Sequence, residues 1–514
     1  MLRRNFLSGS FALAIAASRR GLAWSNQAPK SILEYGARPD GKTLNTNAIQ
    51  RAVDDAYQAG GGTVHVPSGT FLTGRIDLRS RVTLYLDEGC TLRGSTSLND
   101  YDAGDGGGEG RQRHLIFAHD AEGVTLAGPG RIDGQGKNFW EPSGKTPIPA
   151  DEQWADFSSR VLSPKKSGRP SPMLYFVNCR QLRIEDVRIE NSSGWTLHAL
   201  NCDDLNIKGI AIKNPVVGPN TDGIDMTGCQ NVLMSNCSVE TGDDAVCLKS
   251  ENPYGPEPRL TKNVVVTNCH LTTCCNGFKL GTSSEGGFEN ITFSNSVIYN
   301  DEVELKARVI SGIALEVVDG GWIDGVVVSG IQMQRTRTPI FIRLGNRKRS
   351  HDNPKQGIRG VSIDNVQASE AVLASSITGL PGMEVQDVTL SNIHVGSVLP
   401  SRPEWVGRTV PEKEAAYPEA KMMFGMLPAS GLYVRHARDL RLNNVEFTAP
   451  AGEARPTIIF DDVIGARVTG LKSAPISGGM PLVQVIHSED VHLSEVSPST
   501  STLPENPSAS TTTV

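Results

Sequence analysis

Four aspartates are concentrated in two short stretches of the sequence. Asp222 and Asp225 lie in GPNTDGIDMT, and the doublet Asp243–Asp244 lies in ETGDDAVCLKS, 21 and 22 residues after Asp222. Close carboxyl groups raise one another's proton affinity, so that one holds a proton while another stays ionised. General acid–base catalysis needs that combination. The aspartates are therefore candidates for acid–base chemistry, provided that the fold brings the two stretches together.

Other uses of these aspartates have to be weighed against catalysis. Asn-Thr-Asp-Gly and Gly-Asp-Asp are turn sequences, in which an Asp side chain caps the backbone. Clustered carboxylates also bind calcium. Three carboxylates held in register favour catalysis over both alternatives, because close like charges cost stability unless they are used.

A repeated pattern indicates which elements position these residues. Its form is an apolar residue, any residue, an apolar residue, two small or polar residues and another apolar residue. From Leu182 to Val388 it recurs in steps of 23 to 35 residues. The repeats start at Leu182, Leu205, Val232, Val264, Ile291, Val326, Val361, Val388, Leu440 and Val491. Period-two strands repeated at this length, with Asn, Gly and Asp at the corners, are typical of a solenoid.

The repeats predict an all-β fold, a right-handed parallel β-helix that forms one domain over residues 26–497. Each coil would contribute three short strands, and neighbouring coils would stack about 4.8 Å apart. TNAIQRAVDDAYQAG predicts a helix over 46–60 that caps the first coil. Strands without intervening helices exclude a doubly wound α/β fold, and the absence of a blade signature excludes a β-propeller.

The predicted coil length brings the aspartates together. A step of 21 or 22 residues returns the chain to the same side of the solenoid one layer further on. Asp222 and the Asp243–Asp244 doublet should therefore be neighbours on one groove. Strand parity should also direct Asp225 and Lys249 outward, near the same groove.

The two ends of the chain differ from its middle. RRNFLSGSFALAIAA, with the pair Arg3–Arg4, resembles a twin-arginine export signal over residues 1–25 and predicts a periplasmic or secreted protein. A retained membrane anchor is the alternative, disfavoured by the short apolar run. Residues 498–514 are rich in Ser, Thr and Pro and are predicted to be disordered.

Charge and cysteine content restrict the partners. Beyond the first 25 residues, 46 Lys and Arg stand against 56 Asp and Glu, which argues against nucleic acid. No interior run is long and apolar enough for membrane insertion, and we expect a monomer without cofactor or metal. Most of the nine cysteines should be free core thiols, with the Asn-Cys pairs at 178–179, 201–202, 236–237 and 268–269 stacked as ladders. A disulfide from Cys274 or Cys275 stays open.

At the aspartates the chain resembles the polygalacturonase family of glycoside hydrolases, family 28, in its bacterial pectin-degrading branch. The motifs are NTDGID, GDDAVCLKS, FVNCRQLRIEDVRIENSSGWTLHALNC, GPGRIDGQGKNFW and the opening YGARPDGKTLNTNAIQRAVDDAYQAGGGTVHVPSGTF, within about residues 30–345. The resemblance implies inverting hydrolysis of glycosidic bonds in a pectin-type polysaccharide or oligosaccharide. It implies Asp243 as general acid, and Asp222 and Asp244 as the groups that hold and deprotonate water, roughly 6.5–9.5 Å from the acid.

Two departures from that family bear on specificity. Cys275–Asn276–Gly277 stand where the family has Gly-His-Gly. Ala314 and Glu316 stand at the two basic positions of its Arg-Ile-Lys segment, which grips the galacturonate carboxylate. We expect Glu316 to repel a substrate carboxylate, so homogalacturonan should be a poor substrate. Substrate-binding candidates are His198, Asp225, Lys249, Lys279, Arg308 and Arg343, of which Lys279, Arg308 and Arg343 could replace the missing charge.

The mode of action stays open between several alternatives. The step from Val388 to Leu440 widens to 52 residues, and the insertion at about 397–430 could either wall off one end of the groove, giving an exo-acting enzyme, or pack on the far side. A lyase of the same architecture would use calcium and a basic residue. A non-catalytic glycan-binding β-helix of the adhesin kind would leave the aspartates unexplained.

Overall fold

The computed structural model of the protein describes residues 29–101, 113–144, 161–301, 309–347, 353, 355–399 and 401–497. The predicted export signal at 1–25, the predicted tail at 498–514 and Arg308 lie outside the described residues.

Among the described residues, thirty-four strands form one continuous sheet that winds around the molecule. In the N-terminal third they are Lys30–Ser31, Asp40–Leu44, Gly62–Val66, Gly69–Thr73, Ile76–Asp77, Val82–Leu86, Cys90–Gly94, Ile116–His119, Thr125–Ala127 and Arg131–Asp133. In the middle they are Leu174–Val177, Arg183–Glu185, Arg188–Glu190, Leu197–Leu200, Asp203–Lys208, Ala211–Lys213, Ile224–Thr227, Gln230–Ser235, Ser238–Thr241, Val246–Ser250, Thr261–Thr267 and His270–Thr273. Beyond these they are Asn276–Ser284, Gly287–Tyr299, Val309–Val317, Trp322–Gln334, Thr336–Leu344, Gly357–Ala371, Ser375–Thr378, Val385–Ser397, Leu432–Thr448, Ile458–Ser473, Val483–Ile486 and Glu489–Ser494.

The remaining elements are short, apart from one helix. Trp140–Pro142 pairs antiparallel with Leu162–Pro164. In the described part of the chain the helices are α1, Thr46–Gln58, and α2, Ala420–Met423, and the 3₁₀ turns are Ile32–Tyr35, Leu98–Asp100, Gly136–Phe139, Pro403–Trp405 and Ser477–Gly479. No helix among the described residues is long and apolar enough to cross a bilayer.

The repeat positions of the sequence are paired residue for residue between coils. Leu205 pairs with Val232, Val232 with Val264 and Val264 with Ile291, all in parallel. The same register continues from Ile291 as far as Leu440. The predicted parallel β-helix is confirmed, because each repeat is one coil stacked on the coil before it.

One coil was missed by the sequence pattern. This coil places Ala466 between Leu440 and Val491, and Ala466 pairs with both residues. A small Ala at the first repeat position weakens the apolar signal, so the step from Leu440 to Val491 conceals this coil.

Left-handed residues turn the chain at the corners. Asn178, Asn201, Asn236 and Asn268 have φ between 52° and 57°, a conformation that Asn tolerates because its short side chain bonds locally. The cysteines that follow them are buried, and they form two separate ladders, Cys179 beside Cys202 and Cys237 beside Cys269. None of the nine cysteines forms a disulfide, and all nine are buried, so neither Cys274 nor Cys275 takes part in one.

The core fills the inside of the coils. Ile224, Met226, Val246 and Leu248 point inward and are fully buried, as strand parity predicts. Helix α1 buries Ala48, Ile49, Ala52, Val53 and Ala56 against the first coils. The predicted N-terminal cap is therefore confirmed, and it covers a sheet edge that would otherwise be open to pairing.

Stacking inside the coils provides the first prediction. Phe293 is fully buried, with its ring 4.4 Å from that of Phe278 in the same cluster. Phe293→Ala should lower the free energy of unfolding by roughly 3–5 kcal/mol, because it leaves a cavity between coils. Denaturant unfolding measures the loss, and Leu233→Ala, at a side chain that is 46% exposed, is the control with an effect within about 0.5 kcal/mol. Equal effects of the two changes would contradict this description of the core.

Candidate active site

The aspartates lie on one face of the solenoid, which we call the site face. It is built from the strands Ile116–His119, Leu174–Val177, Leu197–Leu200, Ile224–Thr227, Val246–Ser250, Asn276–Ser284, Val309–Val317, Thr336–Leu344, Ser375–Thr378 and the first residues of Leu432–Thr448 and Ile458–Ser473. Because Ile224 pairs with Val246, Asp222 lies beside Asp244 in the adjacent coil. Asp243 lies close enough to both for its charge to act on them. The structure thus brings together the three carboxyl groups that the spacing predicts to be neighbours.

Asp244 is held as an ionised carboxylate. Its Oδ2 lies 3.0 Å from Lys279 Nζ, and its Oδ1 accepts a 2.7 Å bond from Asn276 Nδ2. Burial alone would raise the pKa of this carboxyl, but the positive charges of Lys279 and then Lys249 outweigh burial and hold it at about 2. Asp244 therefore has the state that a general base requires.

Asp243 has the opposite tendency and is the most open of the three to solvent. One carboxylate oxygen accepts a 2.8 Å bond from the backbone N–H of Asp244, and the other lies 3.4 Å from Asn220 Nδ2. Burial of the group and then the negative charge of Asp244 raise the pKa of Asp243 to about 7. A partly exposed carboxyl that holds a proton near neutral pH is suited to be a general acid.

Asp222 completes the cluster from the coil before. Its side chain is buried, and its Oδ1 has no hydrogen-bond partner among the described residues. Burial and then the charges of Asp243, Asp225 and Asp244 raise its pKa well above the ordinary value. A buried oxygen of this kind leaves a place for a water molecule or a substrate hydroxyl.

The carboxyl groups of Asp243 and Asp244 lie closer together than the predicted gap between a general acid and its base. A carboxylate oxygen of Asp243 lies within 4.8 Å of one of Asp244, whereas the resemblance implied roughly 6.5–9.5 Å. For these two oxygens the separation is shorter than the predicted gap. The gap between Asp243 and Asp222, the other carboxyl assigned to the water, stays a prediction.

Those two oxygens and Cys275 Sγ form the one grouping of three potential metal-binding atoms in the described part of the chain. Calcium takes six to eight oxygen ligands, and sulfur is a poor ligand for it. Asp244 is moreover already bonded to a lysine. The grouping does not fit calcium, so the chemistry of these donors favours acid–base work.

His198, Asp225 and Lys249 form a buried polar layer beside the cluster. His198 pairs in register with Asp225, and its Nε2 lies 2.9 Å from Thr227 Oγ1. Lys249 Nζ lies 3.4 Å from Asp225 and 4.9 Å from the ring centre of Trp195. Strand parity does direct Asp225 and Lys249 outward, yet neighbouring side chains cover both. Their contact with substrate stays a prediction.

The sequence predicts that Glu316 faces the groove, but the structure buries it. Its side chain is completely buried, 3.8 Å from Lys279 Nζ. Burial raises the pKa of Glu316 to about 8, against the opposing charge of Lys279. The expectation that Glu316 repels a substrate carboxylate was wrong, since the group is enclosed and holds a proton at neutral pH.

The insertion at 397–430 lies over the site face and not on the far side. Ala314 and Phe341, on adjacent site-face strands, share one apolar cluster with Val410, Met423 and Phe424 of the insertion. Ala314 therefore lies under the insertion at the position where the resembling family has a basic residue. A small side chain there leaves space for this cover.

Arg343 anchors the insertion and is not free to replace the missing charge. Its guanidinium donates to the backbone carbonyls of Glu412 and Lys413, and to that of Gly379 on the site face. It also lies 5.6 Å from the ring centre of Phe424. The predicted role of Arg343 in substrate binding is contradicted, because the charged end is covered and its two terminal nitrogens donate to backbone carbonyls. Lys279 is likewise buried between Asp244 and Glu316, and its predicted contact with substrate stays a prediction.

Comparison with known proteins agrees with the fold and with the motifs at the site. The sequence model of glycosyl hydrolases family 28 matches residues 58–413, more than two thirds of the chain. The chain belongs to glycosyl hydrolases family 28. This membership identifies it as a glycoside hydrolase, and the proposed resemblance is confirmed.

Individual members of the family have the following similarity to this chain. A probable polygalacturonase of Vitis vinifera is 28% identical over 388 residues, covering 71% of this chain and 74% of that protein. An endo-polygalacturonase of Pectobacterium carotovorum is 26% identical over 402 residues, covering 76% and 93%. The structure of an exopolygalacturonase from Thermotoga maritima matches with a TM-score of 0.58 at 24% identity. The match covers 72% of this chain and 87% of the Thermotoga chain, and it shows a shared fold.

Sequence reasoning missed several residues of this family 28 site. Asn276 is 32 residues after Asp244 and bonded to it, so the coil step could have placed it in line with Asp222 and Asp244. Tyr417 and Glu419 of the insertion carry no periodic signal. The exposed ring of Tyr417 lies 5.7 Å from Lys279 Nζ, and the charge of Glu419 acts on Asp243.

The anchoring of the insertion provides the second prediction. Arg343→Met removes the bonds to the carbonyls of Glu412 and Lys413 while it keeps much of the apolar contact with Phe424. Proteolytic cleavage within 397–430 should become at least about tenfold faster, the factor that corresponds to ~1.4 kcal/mol of local stability. Limited proteolysis with mass spectrometry measures this rate. Arg441→Met is the control, since Arg441 pairs with Asp387 on the exposed surface; an unchanged rate in Arg343→Met would contradict the anchoring role.

Proposed function

We propose that this family 28 hydrolase cleaves glycosidic bonds of pectin-type polysaccharides or oligosaccharides with inversion, Asp243 acting as the acid and Asp244 as the base. The observation that carries the proposal is the division of proton affinity within one cluster. The pKa of Asp243 is raised to about 7 and that of Asp244 is held at about 2. Two neighbouring carboxyl groups thus hold opposite protonation states over the intervening pH range.

The reaction follows from these two states. The Asp243 carboxyl donates its proton to the glycosidic oxygen as the bond to the anomeric carbon breaks. Asp244 accepts a proton from a water molecule, whose oxygen forms the new bond to the same carbon. The unpartnered Oδ1 of Asp222 is the group we assign to hold that water. At the end of a cycle the proton has passed to Asp244, and exchange with solvent restores the starting states.

We propose that the cleavage site favours a sugar without a carboxylate. The sugar meant is the one that would lie beside Ala314 and Glu316, where the resemblance implies a basic pair that binds the galacturonate carboxylate. Ala314 is covered there, Glu316 is buried, and Lys279 and Arg343 are engaged with protein groups. A galacturonate carboxylate would lose charge-assisted hydrogen bonds worth about 1.5–3 kcal/mol each. Plain homogalacturonan should therefore be a poorer substrate than a pectic chain with neutral residues, such as rhamnogalacturonan.

An exo-acting mode is proposed from the insertion. It covers the site face on the coils that follow the aspartates, at Ala314 and Phe341. Its Tyr417 borders Lys279. A chain lying along the site face would meet this cover within one or two coils of Asp244. The names of the relatives include both endo and exo action, so this proposal depends on the geometry.

Product analysis tests the proposed function. The protein is incubated with homogalacturonan, rhamnogalacturonan and their oligosaccharides, and the products are separated and weighed by mass spectrometry. Release of short products from one chain end, with the inverted anomer formed first in proton NMR spectra, is the expected result. Unsaturated sugars would indicate a lyase, the retained anomer would overturn the assigned mechanism, and binding without cleavage would indicate a non-catalytic glycan-binding protein.

The third prediction concerns the acid. Asp243→Asn should lower kcat by roughly 10²–10⁴-fold, because the amide cannot donate the proton to the leaving oxygen. Substrate binding and the melting temperature should change little. Asp204→Asn is the matched control, at an exposed corner where the aspartate bonds only to Asn231 among the contacts described. Turnover near that of the wild type in Asp243→Asn would assign the acid elsewhere, first to Asp225.

The fourth prediction concerns pH. A carboxyl with a raised pKa loses its proton, and with it the acid function, as the pH rises through that value. Because the pKa of Asp243 is raised to about 7, kcat/KM should fall on the basic side with an apparent midpoint near 7. A neutral oligosaccharide substrate keeps substrate ionisation out of the profile. A rate that stays constant to about pH 9 would contradict the assignment.

A further inference from the structure

Three successive coils contribute a line of buried titratable groups that begins at the second aspartate of the doublet. Lys279 Nζ lies 3.0 Å from Asp244 Oδ2 and 3.8 Å from Glu316 Oε2. The side chains of Asp244, Lys279 and Glu316 are 4%, 1% and 1% exposed. Lys279 pairs in register with Cys247 in the coil before and with Ala314 in the coil after. We call Asp244, Lys279 and Glu316 the buried triad.

The family motifs identified in the sequence do not include this lysine. The family's basic pair corresponds to Ala314 and Glu316, and its histidine corresponds to Asn276. The ammonium of Lys279 lies one coil before Ala314 and Glu316, and it contacts the carboxylate of Asp244. Its surroundings are closed, since the ring of Tyr417 from the insertion lies 5.7 Å away.

We propose that Lys279 is a positioning residue: held between Asp244 and Glu316, it keeps the Asp244 carboxylate ionised and oriented, and thereby gives the role of base to Asp244 and not to Asp222. The inference deepens the proposed function and rests on it for the meaning of "base". It assigns to Lys279 an action through Asp244, with no contact to substrate.

The energetic reason is the position of Asp244 among other carboxyl groups. A carboxylate buried without a cation is strongly disfavoured and takes up a proton instead. Asp244 has Asp222 and Asp243 as neighbours, which add repulsion. The ammonium of Lys279 and the amide of Asn276 occupy both of its oxygens, so the stabilised form is the ionised one. Asp222 has no such cation in contact and its Oδ1 lacks a partner in the described structure.

Other titratable groups around Lys279 act in the same region. They are Cys247, Lys249, Cys275, Glu316, Tyr417 and Glu419. Lys249 is the second cation that acts on Asp244, but its nearest carboxylate is that of Asp225, at 3.4 Å. Glu316, with its pKa raised to about 8, is protonated where the base must work and does not cancel the charge of Lys279 there.

The test is Lys279→Met, measured as kcat and KM from about pH 3 to about pH 9. In the wild type the acid limb should follow the pKa of Asp244, which is held at about 2, and should therefore lie below this range. Without the cation, the group should titrate at or above its ordinary value of 3.8. The acid limb should therefore move upward by about two pH units or more, with KM little changed.

Matched variants separate this role from general damage. Lys213→Met, at a lysine that is 71% exposed and lies away from the site face, should leave the acid limb in place. Glu316→Gln mimics the protonated carboxyl and keeps the cation, so its acid limb should not move upward. In the Asp244→Asn background, Lys279→Met should have little further effect on kcat, because the group through which it acts has been removed.

A second readout makes the result independent of turnover. The titration of ¹³C-labelled aspartate carboxyl groups is followed by NMR spectroscopy in wild type and Lys279→Met, with Asp244→Asn to assign the signal. An upward shift of the Asp244 titration supports the proposal even on a substrate panel that shows no cleavage, a result that would reject the proposed function alone. If Lys279→Met does not fold, as judged by circular dichroism, Lys279→Gln takes its place.

Two results would overturn the proposal. A Lys279 variant with an unchanged acid limb and a raised KM would show that the lysine binds substrate. An Asp244 signal that titrates at the same pH in the variant as in the wild type would show that Asn276 and Lys249 suffice to keep the carboxylate ionised.

Discussion

The register between coils is the constraint on which the rest of this molecule depends. Because parallel strands stack about 4.8 Å apart and pair residue for residue, a side chain on the site face has fixed neighbours in the coils before and after it. Asp222 must lie beside Asp244, and Lys279 beside Cys247 and Ala314. A slip of one residue in any of these coils would turn the polar side chain into the apolar core.

The same register places several charges in a space from which water is excluded. Buried charges are tolerated when each has a partner of opposite sign or sufficient hydrogen-bond donors. Asp244 has Lys279 and Asn276, and Asp225 has Lys249. Asp243, which lacks a direct ion pair among the described residues, is the group whose pKa rises to about 7. Pairing for stability and the division into acid and base are thus one physical arrangement.

The insertion at 397–430 covers part of the site face. Ala314 and Glu316 stand at the two positions where the resemblance to the family implies basic residues, and the insertion packs over Ala314. Arg343, which lies on the next strand of the site face, fastens this cover through backbone carbonyls. The positions without a basic residue and the covering insertion therefore lie on the same coils. This connects the proposed preference for a neutral sugar with the proposed action at chain ends.

The solenoid and the neighbourhood of the three aspartates could be predicted from the sequence, since both follow from the spacing of apolar and acidic residues along one chain. The sequence also located the departures from the family at Asn276, Ala314 and Glu316. The surroundings of the charged side chains could be read only from the folded chain. Lys279 and Glu316 are buried partners, and Arg343 is an anchor of the insertion. The physical reason is that burial depends on the cover, and the insertion that covers the site face packs through contacts between residues far apart in sequence, without any periodic pattern to reveal them.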